Sequence, residues 1–259
     1  MQQIAAVNTS VANDLAIDVA AGASLAVGGL GNVAGQTINK ANTGVLAISG
    51  AQSHGDGAAL LVAGGTVNLD SDAGTPASSQ SPALANLSIA VTGGQMRLMA
   101  GQTLKAMTAD VAEGIDLRGM HVWIYTTADE AALNAQLRDG RIIDSTIGTH
   151  AGASIGIASR SDAGGSPVLL LRLTRPGDAN CDVSVNFTDL LRLSQNYGAN
   201  GRAWDEGDFT YDGQVNFDDL LKLSQNYGQV FAGADAAALP EPAAIGWLLA
   251  GLAMWGRRR

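Results

Sequence analysis

Two stretches of this sequence repeat one chemistry. Gly177 to Gly198 reads GDANCDVSVNFTDLLRLSQNYG, and Gly207 to Gly228 reads GDFTYDGQVNFDDLLKLSQNYG. Fifteen of the 22 positions are identical at an offset of 30 residues, so two copies of one supersecondary unit are expected. With Asp178 as position 1, oxygen-bearing side chains fall at 1, 3, 5, 9 and 12: Asp178, Asn180, Asp182, Asn186 and Asp189. The second copy gives Asp208, Thr210, Asp212, Asn216 and Asp219. A hard cation such as Ca2+ takes about six to eight oxygen ligands, and a tight loop with this spacing supplies them. The backbone carbonyls of Ser184 and Gln214, at position 7, would complete the two rings. Two calcium sites are therefore expected.

The spacing is that of an EF-hand-type loop, with three departures. Position 6 normally takes Gly for a sharp turn. The second copy has Gly213, but the first has Val183, and a β-branched residue suits positive φ poorly. Thr210 is a weaker ligand than Asp or Asn, and Asp at position 12 is shorter than the usual bidentate Glu. The two sites should be unequal in affinity. Val185 and Val215, at position 8, are expected to pair across the loops as a short strand contact. Cys181 at position 4 reads as a neutral filler facing away from the metal. One amphipathic helix is expected after each loop, Leu190 to Tyr197 and Leu220 to Tyr227. Leu190, Leu193 and Tyr197 form its apolar stripe, and Gly198 and Gly228 act as stops.

A calcium loop with only its exiting helix, given twice, resembles the type I dockerin domain over residues 177–229. That resemblance implies metal ligands at the positions named above and docking onto a cohesin-like protein through small hydroxyl residues at positions 10 and 11. Here those positions hold Phe187-Thr188 and Phe217-Asp218, which puts cohesin binding in doubt. The Phe pair reads as core between the two halves. A calcium-rigidified spacer and a docking module both remain open.

The chain ends in Leu239-Pro240-Glu241-Pro242, an apolar run over 243–256, and Arg257-Arg258-Arg259. Fourteen residues fall short of the roughly 20 that a spanning helix needs. Pro-Glu-Pro, a short apolar helix and an Arg cluster, in that order, resemble the PEP-CTERM sorting signal. The resemblance implies export, transient membrane anchoring by 243–256 and processing by an exosortase-type enzyme. Met1 to Ser10 has no basic residue and no apolar core, unlike a secretory leader. It reads as the middle of a β region, so the export signal is expected upstream of this start.

Elements able to carry this module are expected before it. Short apolar runs recur between Gly, Asn and Asp turns, among them Leu15–Ala20, Ser24–Val27, Val45–Ser49, Ala59–Ala63, Thr66–Leu69, Leu87–Val91 and Met96–Met99. Later come Ile115–Leu117, His121–Tyr125, Ser154–Ala158 and Val168–Leu173. Small and aliphatic side chains suit stacked rungs, so residues 1–175 read as a parallel β-solenoid (β-helix). The stretch from Ile38 to Asp72 resembles the autotransporter-associated β-strand repeat of bacterial surface passengers. Asp72 to Pro82 reads as a surface loop. Thr127 to Gly140 reads as a helix with Thr127 as N-cap and Glu130 as its capping-box partner. Around it, 114–175 forms a terminal cap. The expected organisation is thus a mainly β passenger over 1–175, a small helical calcium module over 176–230, a linker over 231–239 and the sorting segment over 240–259.

Composition narrows the function. Net charge is −9 and pI about 4.6, which argues against nucleic acid, whose binding rests on Lys and Arg. One cysteine excludes an internal disulfide and a multi-thiolate zinc site. His54, His121 and His150 show no metal or nucleophile spacing, and Asp116 with Asp144 read as ordinary strand-end residues. The chain is therefore expected to be an exported, non-enzymatic surface or extracellular protein. The combination resembles exported proteins of planctomycete-like bacteria. The alternatives are a polysaccharide-acting β-helix lyase or hydrolase and a glycan-binding adhesin.

Overall fold

Short runs in which apolar residues alternate with small or polar ones leave each strand one face to bury. In Val45–Ile48, Ala59–Val62, Thr66–Leu69 and Ser88–Val91 the second and fourth residues are buried and the first and third are not. No single strand covers that face alone, so the chain coils and stacks like on like. The computed structural model describes residues 2–3, 9–74, 85–125, 130–162 and 165–233. Over these the protein is mainly β, built on a parallel β-solenoid of about 5 turns. Thr127, the expected N-cap, lies outside the described residues. So do 75–82 of the expected surface loop and 234–259, which hold most of the linker and the whole sorting segment.

One face is a seven-stranded sheet in the order Gln2–Gln3, Ser24–Val27, Val45–Ile48, Thr66–Leu69, Gln95–Leu98, Ile115–Asp116, Ile142–Ile143. The second runs Ala106–Ala109, Ser88–Val91, Ala59–Val62, Thr37–Ala41, Leu15–Asp18. A short third face stacks Thr9–Val11, Leu30–Asn32 and Ser53–His54. Register places Leu25, Leu46, Val67, Met96, Ile115 and Ile142 in one inward column. Rungs approach so closely that a Cβ at Gly50 would lie 0.8 Å from the Gly28 carbonyl oxygen. Only glycine permits that contact.

Another inward column holds Ile17, Lys40, Val62, Val91 and Ala109. Lys40 is fully buried there. Its Nζ donates to the carbonyls of Ala41 (2.6 Å), Asn42 (2.8 Å) and Gly64 (3.1 Å). Three donors thus meet three acceptors, which offsets the cost of a buried ammonium. Burial pulls its pKa down, and the Asp18 charge acts against that.

Four strands not expected from sequence have polar inward residues, while Ala106–Ala109 and Ile142–Ile143 were missed although their inward residues are apolar. Leu30–Asn32, Thr37–Ala41, Ser53–His54 and Gln102–Leu104 carry Asn32, Lys40, His54 and Gln102. His54 Nδ1 meets Asn32 Oδ1, and its Nε2 lies 3.1 Å from Gln52 Oε1. Gln52 donates onward to the Ser71 carbonyl (2.9 Å). Burial pushes the His54 pKa down to about 4.

The parallel stack ends in a cap. Helix α1 (Glu130–Arg138) lies over Ala106–Ala109, and its Gln136 Oε1 accepts from Ala109 N at 2.6 Å. Beside it, Gln102–Leu104 pairs parallel with Val122–Ile124, which then pairs antiparallel with Pro167–Thr174. Ser154–Ser161 completes that hairpin. Reversal of strand direction closes an edge that would otherwise template another rung.

Candidate metal centre in the paired loops

The two repeats fold as two loop–helix units, α2 (Phe187–Asn196) and α3 (Phe217–Asn226). Each helix starts one turn earlier than expected, because its loop supplies a capping box. Asn186 accepts from Thr188 N (2.8 Å), while Asp189 Oδ2 accepts from Asn186 N (2.8 Å). Asn216, Asp218 and Asp219 repeat this at 2.8 and 2.9 Å. Such boxes satisfy the free amides of a helix start. Gly198 (φ 84°) and Gly228 (φ 77°) follow the last turns in left-handed conformation, the stop expected there.

The expected ligand residues gather within each loop. Fully buried Asp189 accepts with Oδ1 from Ala179 N (2.9 Å) and Asn180 N (3.3 Å), tying the loop's start to its helix. Asp219 does the same with Phe209 N (2.8 Å) and Thr210 N (3.1 Å). Asp178 Oδ1 accepts from Asp182 N (3.0 Å) and its Oδ2 from Val183 N (2.8 Å). Asn180 Nδ2 donates to Asp182 Oδ2 (2.8 Å), and Ser184 N to Asp182 Oδ1 (2.9 Å). In the second loop Asp208 Oδ2 accepts from Gly213 N (2.8 Å). Thr210 Oγ1 lies 3.3 Å from Asp208 Oδ1 and 3.2 Å from Asp219 Oδ1. Asp212 accepts from Gln214 N (2.8 Å) and Asn216 Nδ2 (3.4 Å).

This arrangement crowds like charges. Burial, with the charges of Asp182 and Asp189 behind it, pushes Asp178 up to about 7. Burial also raises Asp189, with Asp182 adding to it, and raises Asp208, with Asp219 and Asp212 adding. Buried carboxylates under mutual repulsion suit a bound cation. The donor set expected for each loop would be mixed, with carboxylates, amide or hydroxyl oxygens and one backbone carbonyl, the chemistry a calcium ion uses. Among the described residues no group of three or more His, Cys, Asp or Glu side chains is gathered so as to hold a metal ion by itself.

Three sequence expectations need correction. Val185 and Val215 do not pair with each other. Val185 N donates to Gln229 O (3.0 Å), and Val215 N to Ala199 O (3.0 Å). Each loop therefore pairs with the chain leaving the other helix, which links the halves reciprocally. Phe187 and Phe217 are not core: they are 65% and 63% exposed. The capping box sets them at the first helical position, on the side away from buried Leu193 and Leu223. Tyr197 is 52% exposed and lies outside the buried stripe. Val183 does adopt the sharp turn, at φ 71°, beside Gly213 at 83°. Cys181 is buried, with its Sγ close to Gly156.

Sequence reasoning missed how these loops are mounted. The buried hydrophobic cluster runs unbroken from the solenoid through Ile157, Leu171 and Leu173 to Cys181, Trp204, Phe209 and Phe231. Trp204 is fully buried, edge-on to Phe209 at 5.2 Å and tilted against Tyr211 at 5.3 Å. The Tyr211 hydroxyl donates to Ile155 O in the cap hairpin. A lone Trp between two near-identical repeats was the available signal.

A groove of about 410 Å³ lies between α1 and the second loop, lined among others by Glu130, Asn134, Arg202, Glu206 and Tyr211. Glu130 Oε2 accepts from Ser159 Oγ (2.9 Å), and Asp205 Oδ2 accepts from Ser159 N (3.2 Å). Burial, then the charge of Asp205, pushes Glu130 up to about 7 from its ordinary 4.5. The folded protein keeps that proton where the unfolded chain has lost it. The resulting stabilisation is full below the unfolded value and is lost as pH rises through about 7. In EDTA the thermal midpoint should fall from about pH 5 to pH 8. Asp178 acts in the same direction, so Glu130→Gln should reduce the slope without abolishing it. A slope untouched by Glu130→Gln would contradict this assignment. By contrast, Asp116 and Asp144 hold turns. Asp116 Oδ1 accepts from Ser145 N (2.9 Å), and Asp144 Oδ2 from Gly119 N (2.6 Å).

Comparison with protein-family models, with curated proteins and with solved structures found no match for this chain.

Proposed function

We propose that this chain is an exported, non-enzymatic structural and binding protein of the cell surface or extracellular space. Its β-solenoid carries a calcium-set, dockerin-like repeat pair, and that pair attaches the solenoid to a partner protein. One observation carries the docking reading. Phe187 and Leu191 are 65% and 45% exposed, and their repeat equivalents Phe217 and Leu221 are 63% and 42% exposed. A single exposed apolar residue is ordinary, but the same Phe–Leu pair presented twice marks a contact surface. Each buried Phe is worth about 1.5–3 kcal/mol, so a partner that covers both gains substantially. These Phe residues stand at loop position 10, where the dockerin resemblance expects partner contacts. Aromatic rings there fit a cohesin-like partner with apolar recesses rather than a polar face.

The duplicated oxygen spacing and the crowded carboxylates support Ca2+ at both loops. Asp178, Asn180, Asp182, Asn186, Asp189 and the Ser184 carbonyl would hold one ion. Asp208, Thr210, Asp212, Asn216, Asp219 and the Gln214 carbonyl would hold the other. The ion would supply a fixed charge that locks each loop. The Pro-Glu-Pro, apolar and Arg sequence supports export and exosortase-type processing. Among the described residues no helix is long and apolar enough to cross a membrane.

The test is binding of the full chain to cohesin-type modules by surface plasmon resonance, in calcium and in EDTA. Binding is expected only in calcium, and the Phe187→Asp/Phe217→Asp double variant should weaken it about 100-fold, at hot-spot magnitude. Circular dichroism should be unchanged in that variant. Equal binding by the wild type and the double variant would refute the Phe–Leu surface.

A further inference from the structure

The two loops differ in what holds their first aspartate. Asp208 is held from within its own loop, by Gly213 N and Thr210 Oγ1. Asp178 is held from within by Asp182 N and Val183 N, and from outside the loop as well. Its Oδ2 accepts from Thr174 Oγ1, and Thr174, itself fully buried, is the last residue of the cap strand Pro167–Thr174. The Asp178 carbonyl accepts from Trp204 Nε1 at 2.7 Å. Two residues on, the Asn180 carbonyl accepts from Arg160 of the other hairpin strand at 2.6 Å. The second loop reaches that hairpin through the Tyr211 hydroxyl, which is not a ligand residue.

We propose that Thr174 and Trp204 are positioning residues for the first calcium loop, so that cation binding there and closure of the solenoid's cap hairpin form one linked equilibrium. This rests on the calcium reading above and adds its regulation. A carboxylate oriented by a neutral hydroxyl donor spends less freedom on meeting a cation, and outer partners of this kind tune metal affinity strongly. Linkage is reciprocal: if the closed hairpin favours the ion, the ion favours the closed hairpin by the same factor. Loop one needs such support, because Val183 holds a left-handed turn that Gly213 holds freely in loop two. Metal at the module would thereby set the order of the solenoid's last strands. The repeat pair then acts as a calcium-dependent lock on the passenger rather than a bead on a string.

The experiment combines calcium calorimetry with amide hydrogen exchange on the full chain. In the wild type, calcium should slow exchange across 154–161 and 167–174. Thr174→Val keeps the shape and suits a strand. It should weaken one of the two sites about tenfold, leave the other unchanged and remove the calcium-dependent slowing. Thr174→Ser should restore both. Trp204→Phe, which keeps an aromatic ring but loses the donor, should act in the same direction and serves if the valine variant does not fold. If the wild type binds two ions while hairpin exchange is identical with and without them, the linkage is wrong and the calcium reading stands. If the wild type binds no calcium, the calcium reading falls and the linkage falls with it.

Discussion

Gly207→Ala should cost about 3 kcal/mol or more and melt the repeat pair first. Gly207 sits at φ 111°, and a Cβ there would lie 2.8 Å from the Leu193 Cα, which is helix backbone. The neighbour cannot yield by rotating a side chain. Gly177 is its repeat equivalent, at the same φ, with the Leu223 Cα of the other helix at 2.8 Å. The two contacts interlock, each loop start resting on the opposite helix. The helix ends reinforce them: Asn196 Nδ2 donates to Glu206 O (3.0 Å), and Asn226 Nδ2 to Pro176 O (2.9 Å). Gly201 is the control. Its φ is 67°, but nothing lies within 4 Å of its Cβ position, so Gly201→Ala should cost only about 1 kcal/mol. Thermal unfolding followed by Trp fluorescence distinguishes them. Equal losses in Gly207→Ala and Gly201→Ala would mean that close packing of the halves contributes nothing.

Asp178→Ala with Asp208→Ala should lower calcium affinity at both loops by at least about 100-fold. Loss of outer-shell partners alone costs about 10–100-fold, and these residues are direct ligands in the proposed sites. The carboxylates stand at position 1 in each loop and are nearly or fully buried. Removing them also frees the amides of Val183 and Gly213, which loosens the turn that gathers the other donors. Unchanged calorimetric titration in the double variant would eliminate both sites.

Much of this architecture was legible because local pattern and global fold agree. Runs such as Val45–Ile48 and Thr66–Leu69 alternate cleanly, and their register follows. Several strands escaped notice where the solenoid buries polar groups within itself. Lys40 in an aliphatic column and His54 between Asn32 and Gln52 look like turn residues to any periodicity count. In the repeats, the duplicated oxygen spacing was visible, but the direction of Phe187 was not. An apolar residue at the first helical turn can face either way, and the Asn186–Asp189 capping box decided it. The mounting of the first loop on Thr174, Arg160 and Trp204 was invisible, because it joins residues whose pairing depends on the finished cap. One hydrophobic cluster runs through the solenoid, its cap and the paired loops, a continuity that no local pattern announces.

The most direct test of the account is calcium titration of the full chain by calorimetry, with circular dichroism and EDTA reversal. Two saturable sites of unequal affinity, with a reversible gain in thermal stability, are the predicted result. Absence of saturable calcium binding would contradict it, leaving the paired loops as capped turns that hold their helices by hydrogen bonds alone.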